Sequence, residues 1–143
     1  MAKWLLLHYK IPSEPSAFRV YVWRKLNRLG AILFQDSVWV LPDTPRNQEQ
    51  YQWLAAEISE MGGESFFWSA QPYLEGQDEG LIQQFASQAA QAYQELLDAL
   101  HQPDADLEFI GKQYRWVRSR DYFNSESGQR VRDALLESRG GEK

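Results

Sequence analysis

The apolar residues at the start of the chain follow two successive patterns, first that of a strand and then that of a helix. Residues 3–11 contain a near-continuous apolar run, which is typical of a strand covered on both faces. Pro12 ends this strand, and residues 15–29 follow a helical spacing that stops at Gly30. The helical stripe consists of Phe18, Val22, Leu26 and Leu29. This pattern predicts a helix that packs one face against a sheet.

The following segment completes a small α+β pattern. Residues 31–35 and 37–41 predict two short strands, for which a hairpin and a bulged pair fit equally well. Residues 45–61 predict a second helix, and residues 64–70 predict the last strand. The order β-α-β-β-α-β is the split βαβ arrangement of ferredoxin-like folds. We therefore predict an α+β fold with a ferredoxin-like core over residues 1–72.

The rest of the chain, residues 73–143, predicts helices added to that core. They are expected at residues 79–100, 105–120 and 128–139. Pro103 breaks the first of them, and Asp104 is the expected N-cap of the next. We therefore predict a single domain, 1–143, with a helical C-terminal extension.

Composition narrows the chemistry that the chain can perform. The 143 residues include no cysteine, which excludes disulfides, thiolate chemistry and cysteine-based zinc sites. Six Trp, seven Tyr and seven Phe supply the apolar area of a real core. The start of the chain lacks the pattern of a signal peptide, and no apolar run approaches a membrane span. We expect a soluble cytoplasmic protein with no membrane partner.

The net charge of −5 conceals a strong segregation of charge along the chain. Residues 1–35 carry six basic side chains and one acidic, whereas residues 36–110 carry one basic and fourteen acidic. Residues 111–143 carry eight basic and five acidic side chains. Two interpretations remain open: the two ends build an anion site, or the acidic middle is simply a solvated surface.

Basic residues near the start of the chain are candidate anion-binding residues. They are Lys10, Arg19, Arg24 and Arg28. Arg24 and Arg28 are four apart on one helix face, so their charges repel, and a bound anion would relieve the repulsion. Forked guanidinium groups suit a tetrahedral dianion such as chromate or sulfate. The alternative is an ordinary solvated helix face.

A second basic set lies near the end of the chain. It comprises Lys112, Arg115, Arg118 and Arg120. Arg115 and Arg118 are three apart on one predicted helix face, and two aromatic residues, Tyr122 and Phe123, follow directly. This cluster is compatible with three contacts: an oxyanion, a nucleic-acid phosphate, or the acidic middle segment of the chain.

The sequence contains no recognisable arrangement of catalytic residues. His8 and His101 lie far apart without metal-ligand spacing, so we expect a structural role for each. Gln35, Asp36 and Ser37 fit turn chemistry, although Asp36 could accept a hydrogen bond from a basic residue across the sheet. No glycine-rich phosphate loop and no helix-turn-helix with a basic second helix is present. We therefore predict no catalysis, no metal and no cofactor.

Two segments of the chain resemble a known family. The opening of ChrB-type chromate-resistance proteins is similar to LLLHYKIPSEPSAFRVYVWRKLNRLGAILFQDSVWVLPDTP, and a later basic segment of the same domain is similar to RWVRSRDYF. The resemblance spans most of the chain and implies a cytoplasmic bacterial protein of chromate resistance. Some members of the family are chromate-responsive regulators of transcription. Larger members carry a second, C-terminal domain, which we do not expect in this chain.

A more distant resemblance is to the ferredoxin-like subunits of CRISPR adaptation and to the similar domain of PaaX-type repressors. In the CRISPR nucleases the first strand ends in Tyr-Asp, and the Asp binds the metal. The matching residues here are Tyr9 and Lys10. A cation in place of the carboxylate argues against the nuclease reaction. Chromate reduction finds no support either, because the sequence offers no thiol and no recognisable flavin or nicotinamide site.

The residues and the resemblance together lead to one functional hypothesis and one alternative. The hypothesis is a ChrB-type sensory or regulatory module that binds chromate or a similar oxyanion through arginines from both chain ends and acts in transcriptional control. The alternative is a dimeric nucleic-acid-binding protein without catalysis, which contacts DNA through the same basic faces. Salt distinguishes them, because binding to several phosphates weakens steeply with ionic strength.

Overall fold

The computed structural model describes residues 3–35, 37–123 and 126–140. These residues form two compact units, which divide between Gln77 and Asp78. We call them the N-terminal unit and the C-terminal unit. Asp36, which we predicted to lie in a turn, falls outside the described residues.

The described part of the N-terminal unit contains four strands, which form one antiparallel sheet, and two helices. The elements, in chain order, are β1 Trp4–Lys10, α1 Ser16–Leu29, β2 Ile32–Phe34, β3 Val38–Pro42, α2 Pro45–Glu60 and β4 Glu64–Ala70. The strands lie in the order β2-β3-β1-β4, and every neighbouring pair is antiparallel. This order confirms the predicted ferredoxin-like α+β core and shows that β2 and β3 form a hairpin.

Three local features set where the helices of this unit begin and end. α1 ends at Gly30, whose φ of 82° lies in the left-handed region that glycine adopts without strain. α2 begins after Thr44, whose side chain accepts a hydrogen bond from the backbone N–H of Asn47 at 3.1 Å. Gly63 lets the chain return close to β1, because a Cβ there would lie 2.4 Å from the carbonyl oxygen of Lys10.

One face of the sheet packs against apolar residues of α1 and α2. The Tyr51 hydroxyl donates to the carbonyl oxygen of Trp39 at 3.1 Å, and the Tyr51 ring lies edge-on to Phe67 at 5.7 Å. The buried helix residues are Val22, Leu26 and Leu29 of α1, and Asn47, Tyr51, Leu54 and Ile58 of α2. Most of the predicted stripe of α1 is therefore buried, whereas Phe18 at its start is only half-buried.

In the described part of the C-terminal unit, the chain forms three helices, α3 Glu79–Leu100, α4 Leu107–Arg118 and α5 Glu126–Gly140. The prediction that Asp104 is the N-cap of α4 is wrong. Asp106 caps the helix, and its carboxylate accepts a hydrogen bond from the backbone N–H of Phe109 at 3.1 Å. The chain before it turns instead, with the N–H of Ala105 donating to the carbonyl of Gln102 at 3.3 Å. Among the described residues, no helix combines the length and the hydropathy that crossing a membrane requires.

The three helices bury an apolar cluster between them. Its members are Ala89, Tyr93, Leu96, Ile110, Val117, Val131 and Leu135. Phe85 of α3 is also buried, and its ring lies 6.0 Å from that of Tyr122 and 6.4 Å from that of Phe123. The two aromatic residues that follow the second basic set therefore pack on this unit's own helices.

A buried hydrogen bond lies inside this unit. The Tyr93 hydroxyl donates to Oδ2 of Asp121 at 3.0 Å, and the two residues are 0% and 8% exposed. Burial first, and then the hydrogen bond to Asp121, raise the pKa of Tyr93, whereas the charge of Arg118 lowers it. The phenol therefore remains protonated and donating at neutral pH. Gly128 of α5 packs on this ring, since a Cβ there would lie 2.9 Å from Cζ and Oη of Tyr93.

Replacing Gly128 by alanine should destabilise the protein, although alanine favours a helix more than glycine does. The added methyl group must displace the Tyr93 ring, and such overpacking costs about 1–3 kcal/mol, against a gain of roughly 1 kcal/mol from helix propensity. The measurement is the urea midpoint of the full chain.

Gly80→Ala on α3 is the matched control for this change. A Cβ at Gly80 meets no atom within 4 Å, so the midpoint should stay the same or rise. Equal midpoints for the Gly128→Ala and Gly80→Ala variants would contradict the tight contact between Gly128 and Tyr93.

Candidate functional site

An open depression lies where β1 ends and α1 begins. It has a volume of about 820 Å³ and is lined by Tyr9, Lys10, Ile11, Ser13, Arg19, Val20, Trp23 and Arg24. Lys10 comes from the end of β1, whereas Arg19 and Arg24 come from α1. The fold therefore brings three of the four predicted N-terminal cations to one place.

The fourth cation, Arg28, lines a neighbouring groove along α1. This groove has a volume of about 500 Å³ and is lined by Ala17, Val20, Tyr21, Arg24, Lys25 and Arg28. Arg24 lines both openings, so the depression and the groove adjoin along the helix. Lys25 is a cation that the sequence analysis did not single out, although it directly follows Arg24 in a basic helix.

The groove is fixed at one side by a contact between the two helices. The Tyr21 hydroxyl donates a hydrogen bond to Oε2 of Glu57 on α2. This hydrogen bond raises the pKa of Tyr21, while the charge of Arg28 lowers it. Arg28 therefore lies close enough to influence the link between α1 and α2.

The cations of the depression have no carboxylate partner in the part of the chain that the structure describes. No ion pair there involves Lys10, Arg19 or Arg24, and none of the described Asp or Glu residues lines the depression. Glu64 lies opposite Lys10 in the register of β1 and β4 but forms no ion pair with it. Three positive groups around one solvent-filled space favour an anion there.

Hydroxyl groups accompany these cations. Burial raises the pKa of Tyr9, although a hydrogen bond from Trp39 and the charge of Arg19 act in the opposite direction. The Tyr9 phenol is thus protonated at neutral pH and can donate to an anion, as can the hydroxyl of Ser13. The exposed ring of Trp23 adds an aromatic wall.

In the C-terminal unit, the predicted cations make separate contacts. The Arg120 guanidinium lies 4.2 Å from the Trp116 ring and donates to the Trp116 carbonyl at 3.2 Å, which places it over the end of α4. Lys112 pairs with Glu108 one turn earlier at 3.8 Å, in a solvent-exposed contact that contributes little stability. Arg118 acts on the buried Tyr93 described above.

Arg115 meets a cation that the sequence analysis missed. A Cβ on Gly111 would lie 3.0 Å from Nη2 of Arg139 and 3.8 Å from Nη1 of Arg115, so guanidinium groups from α5 and α4 converge over one glycine. Among the described side chains, no carboxylate forms an ion pair with either of them. Because the two arginines lie on different helices, no sequence spacing relates them. The sequence signal that could have pointed to a close approach is a glycine inside a predicted helix, Gly111.

The other residues that the sequence singled out have local partners. Gln35 has a φ of 54°, in the left-handed region, within the turn that joins β2 and β3. His101 caps the end of α3. His8 accepts a hydrogen bond from Nε1 of Trp68 at 2.8 Å, and its ring stacks on Phe66 at 5.0 Å.

Comparison with known proteins gives a family match. The family model described as "Protein ChrB, N-terminal" matches residues 19–116, which include Arg19, Arg24, Arg28 and Arg115. A relative named "Protein ChrB", from Cupriavidus metallidurans strain CH34, is 32% identical over 68 residues. These residues are 48% of this chain and 21% of that protein, so the match spans about a fifth of the curated relative. No solved structure matches the chain significantly.

Removing one of the two converging guanidinium groups should slightly stabilise the C-terminal unit when no anion is bound. Arg139→Gln removes a repulsion with Arg115 of a few tenths of a kcal/mol, so the melting temperature of the full chain should rise slightly at low salt. Salt screens exposed charges, so the difference should vanish at high ionic strength.

Arg132→Gln on the same helix is the control for this substitution and should show no such dependence on salt. A lower melting temperature for Arg139→Gln at both salt concentrations would be the contrary result. It would mean that the packing of Arg139 on Gly111 outweighs the repulsion.

Proposed function

The chain belongs to the ChrB N-terminal family, and on that premise we propose that it is a sensory or regulatory module of chromate resistance. In this role it binds chromate or a similar tetrahedral oxyanion and acts in the control of transcription, without catalysis. The family and the resemblance of the opening segment support the connection with chromate. The depression between β1 and α1 supports the choice of an anion as the ligand.

The observation that carries this proposal is the meeting of Lys10, Arg19 and Arg24 around one open space. None of the three forms an ion pair with a carboxylate of the described residues. A tetrahedral dianion has four oxygens, each of which accepts hydrogen bonds. Two guanidinium forks and one ammonium supply charged donors, and the hydroxyls of Tyr9 and Ser13 supply neutral ones. The donor set therefore matches the charge and the geometry of the ligand.

The size and openness of the depression set the expected affinity. A volume of about 820 Å³ exceeds that of a single oxyanion, so the bound ion keeps part of its hydration. Charges in contact with water interact weakly, because the effective dielectric constant is high and salt screens them. We therefore expect modest affinity and similar binding of chromate and sulfate, which share their shape and charge.

Lys10 also supports a role without metal chemistry. Lys10 lies at the end of β1 and is one of the residues that line the depression, and its positive charge there repels a divalent cation and attracts an anion. A metal-dependent nuclease reaction at this position would need a carboxylate there.

The link between α1 and α2 offers a route from binding to regulation. Without a ligand, the cations of α1 repel one another, and an anion between them reverses the sign of that interaction. Arg28 lies along the same helix and acts on Tyr21, which holds Glu57 of α2. Occupancy of the depression can thus change the balance of forces at the contact between the helices.

We expect titration calorimetry to show binding of sulfate and chromate at millimolar concentration or below. Arg24→Gln should weaken that binding about ten- to a hundredfold, because it removes a charged hydrogen-bond donor worth roughly 1.5–3 kcal/mol. With one small site, the affinity should fall only gently as ionic strength rises.

Arg46→Gln makes the same change of charge on α2 and is the matched control, since Arg46 lines neither opening. It should bind both anions as the unmodified chain does. The proposal is wrong if neither anion binds at millimolar concentration, or if the two variants lose affinity equally.

A further inference from the structure

An exposed aromatic cluster lies on the face of the sheet that is turned away from α1 and α2. Phe67 contacts Tyr51 of α2, and neighbouring residues of a strand point to opposite faces, so Phe66 and Trp68 point away from that helix. The register pairs Phe66 with His8 of β1, which places His8 beside them. Phe66 and Trp68 are 50% and 54% exposed.

The three rings are nearly parallel and held in place. His8 lies 5.0 Å from Phe66 with an angle of 15° between the ring planes, and 6.3 Å from Trp68 with an angle of 4°. The indole N–H of Trp68 donates to Nε2 of His8 at 2.8 Å, which fixes both rings. A ligand that stacks on these rings would therefore lose little side-chain entropy on binding.

Lys10 joins this cluster to the cationic depression. It lies two residues after His8, on the same face of β1. It lines the depression together with Arg19 and Arg24, and it also lines a second opening of about 560 Å³ together with His8 and Phe66. The aromatic rings on one face of the sheet and the cations of α1 thus adjoin at the end of β1, where Lys10 lines both openings, and they form one surface around that end.

We propose that this surface binds single-stranded nucleic acid, with bases stacked on His8, Phe66 and Trp68 and phosphates at Lys10, Arg19 and Arg24. Every base has a flat π face that stacks on aromatic rings, and the backbone supplies one negative charge per nucleotide. A duplex keeps its bases stacked inside and cannot offer them to the rings. The inference rests on the proposed function for its phosphate contacts, because both use the same cations.

Glu64 opposes the ligand on this surface. It lies opposite Lys10 on β4 and lines the opening with His8 and Phe66. Its carboxylate repels a phosphate, so Glu64→Gln should strengthen binding several-fold. A purely apolar partner would show no such gain from the loss of this charge.

The test is fluorescence anisotropy with a labelled oligothymidylate and with the same strand paired to oligoadenylate. The full chain should bind the single strand more tightly than the duplex, with an affinity that falls steeply as salt rises. Trp68→Leu should weaken binding of the single strand about five- to a hundredfold through the loss of stacking. Trp53→Leu is the matched control, since Trp53 is 63% exposed on α2, and it should have no effect.

Sulfate titration of the same variants separates this inference from the proposed function. Arg24→Gln should weaken both ligands, whereas Trp68→Leu should weaken only the oligonucleotide. If sulfate binds and the oligonucleotide does not, the inference fails and the proposed function stands. If the oligonucleotide binds as expected and sulfate does not, the proposed function fails.

Two further results would overturn the inference. One is equal binding of single strand and duplex that Trp68→Leu leaves unchanged. The other is self-association of the chain that is abolished by Trp68→Leu and unaffected by the oligonucleotide. In that case the aromatic face would be an interface between copies of the chain. If circular dichroism shows that Trp68→Leu folds poorly, the Glu64→Gln variant still tests the inference. An unchanged affinity of Glu64→Gln for the single strand would contradict the phosphate contact.

Discussion

The pairing of β1 with both β3 and β4 is the constraint on which the rest of the N-terminal unit depends. Its register places Leu7 opposite Trp39 on one side and opposite Phe67 on the other. Because side chains alternate along a strand, burying Leu7 beneath the helices commits His8 and Lys10 to other surroundings. A slip of one residue would exchange the two faces. The positions of the proposed binding surfaces therefore follow from which face of β1 is buried in the core.

The structure contains charged groups in two different environments, one buried in the C-terminal unit and one exposed in the N-terminal unit. In the C-terminal unit the carboxylate of Asp121 is buried and accepts a hydrogen bond from Tyr93, as a polar group removed from water must. In the N-terminal unit Lys10, Arg19 and Arg24 remain exposed to water, where hydration lowers the cost of their mutual repulsion. Stability explains the first arrangement. Stability does not require the second arrangement, which suits the anion that we propose as the ligand.

The sequence predicted the order of the elements because local signals determine it, namely apolar spacing and the positions of Pro and Gly. The same local signals made Asp104 the expected N-cap of α4. Asp106 is an equally good cap by residue type, and only the structure shows which carboxylate reaches Phe109. The meeting of Arg139 with Arg115 and the bond between Trp68 and His8 depend on how distant segments pack. No spacing within one segment encodes such contacts, so sequence analysis could not predict them.

The two proposed sites share Lys10, Arg19 and Arg24, and Lys10 also lines the opening beside the aromatic rings, so this overlap gives a physical basis for regulation. A cation that holds an oxyanion in the depression is less available to a phosphate on the aromatic face, so the two ligands oppose each other. By linkage, each ligand lowers the affinity for the other by the same factor. An oxyanion that accumulates would thereby displace nucleic acid from the module without a large change of shape. A sensor needs no more than this when its input and its output share the same charged side chains.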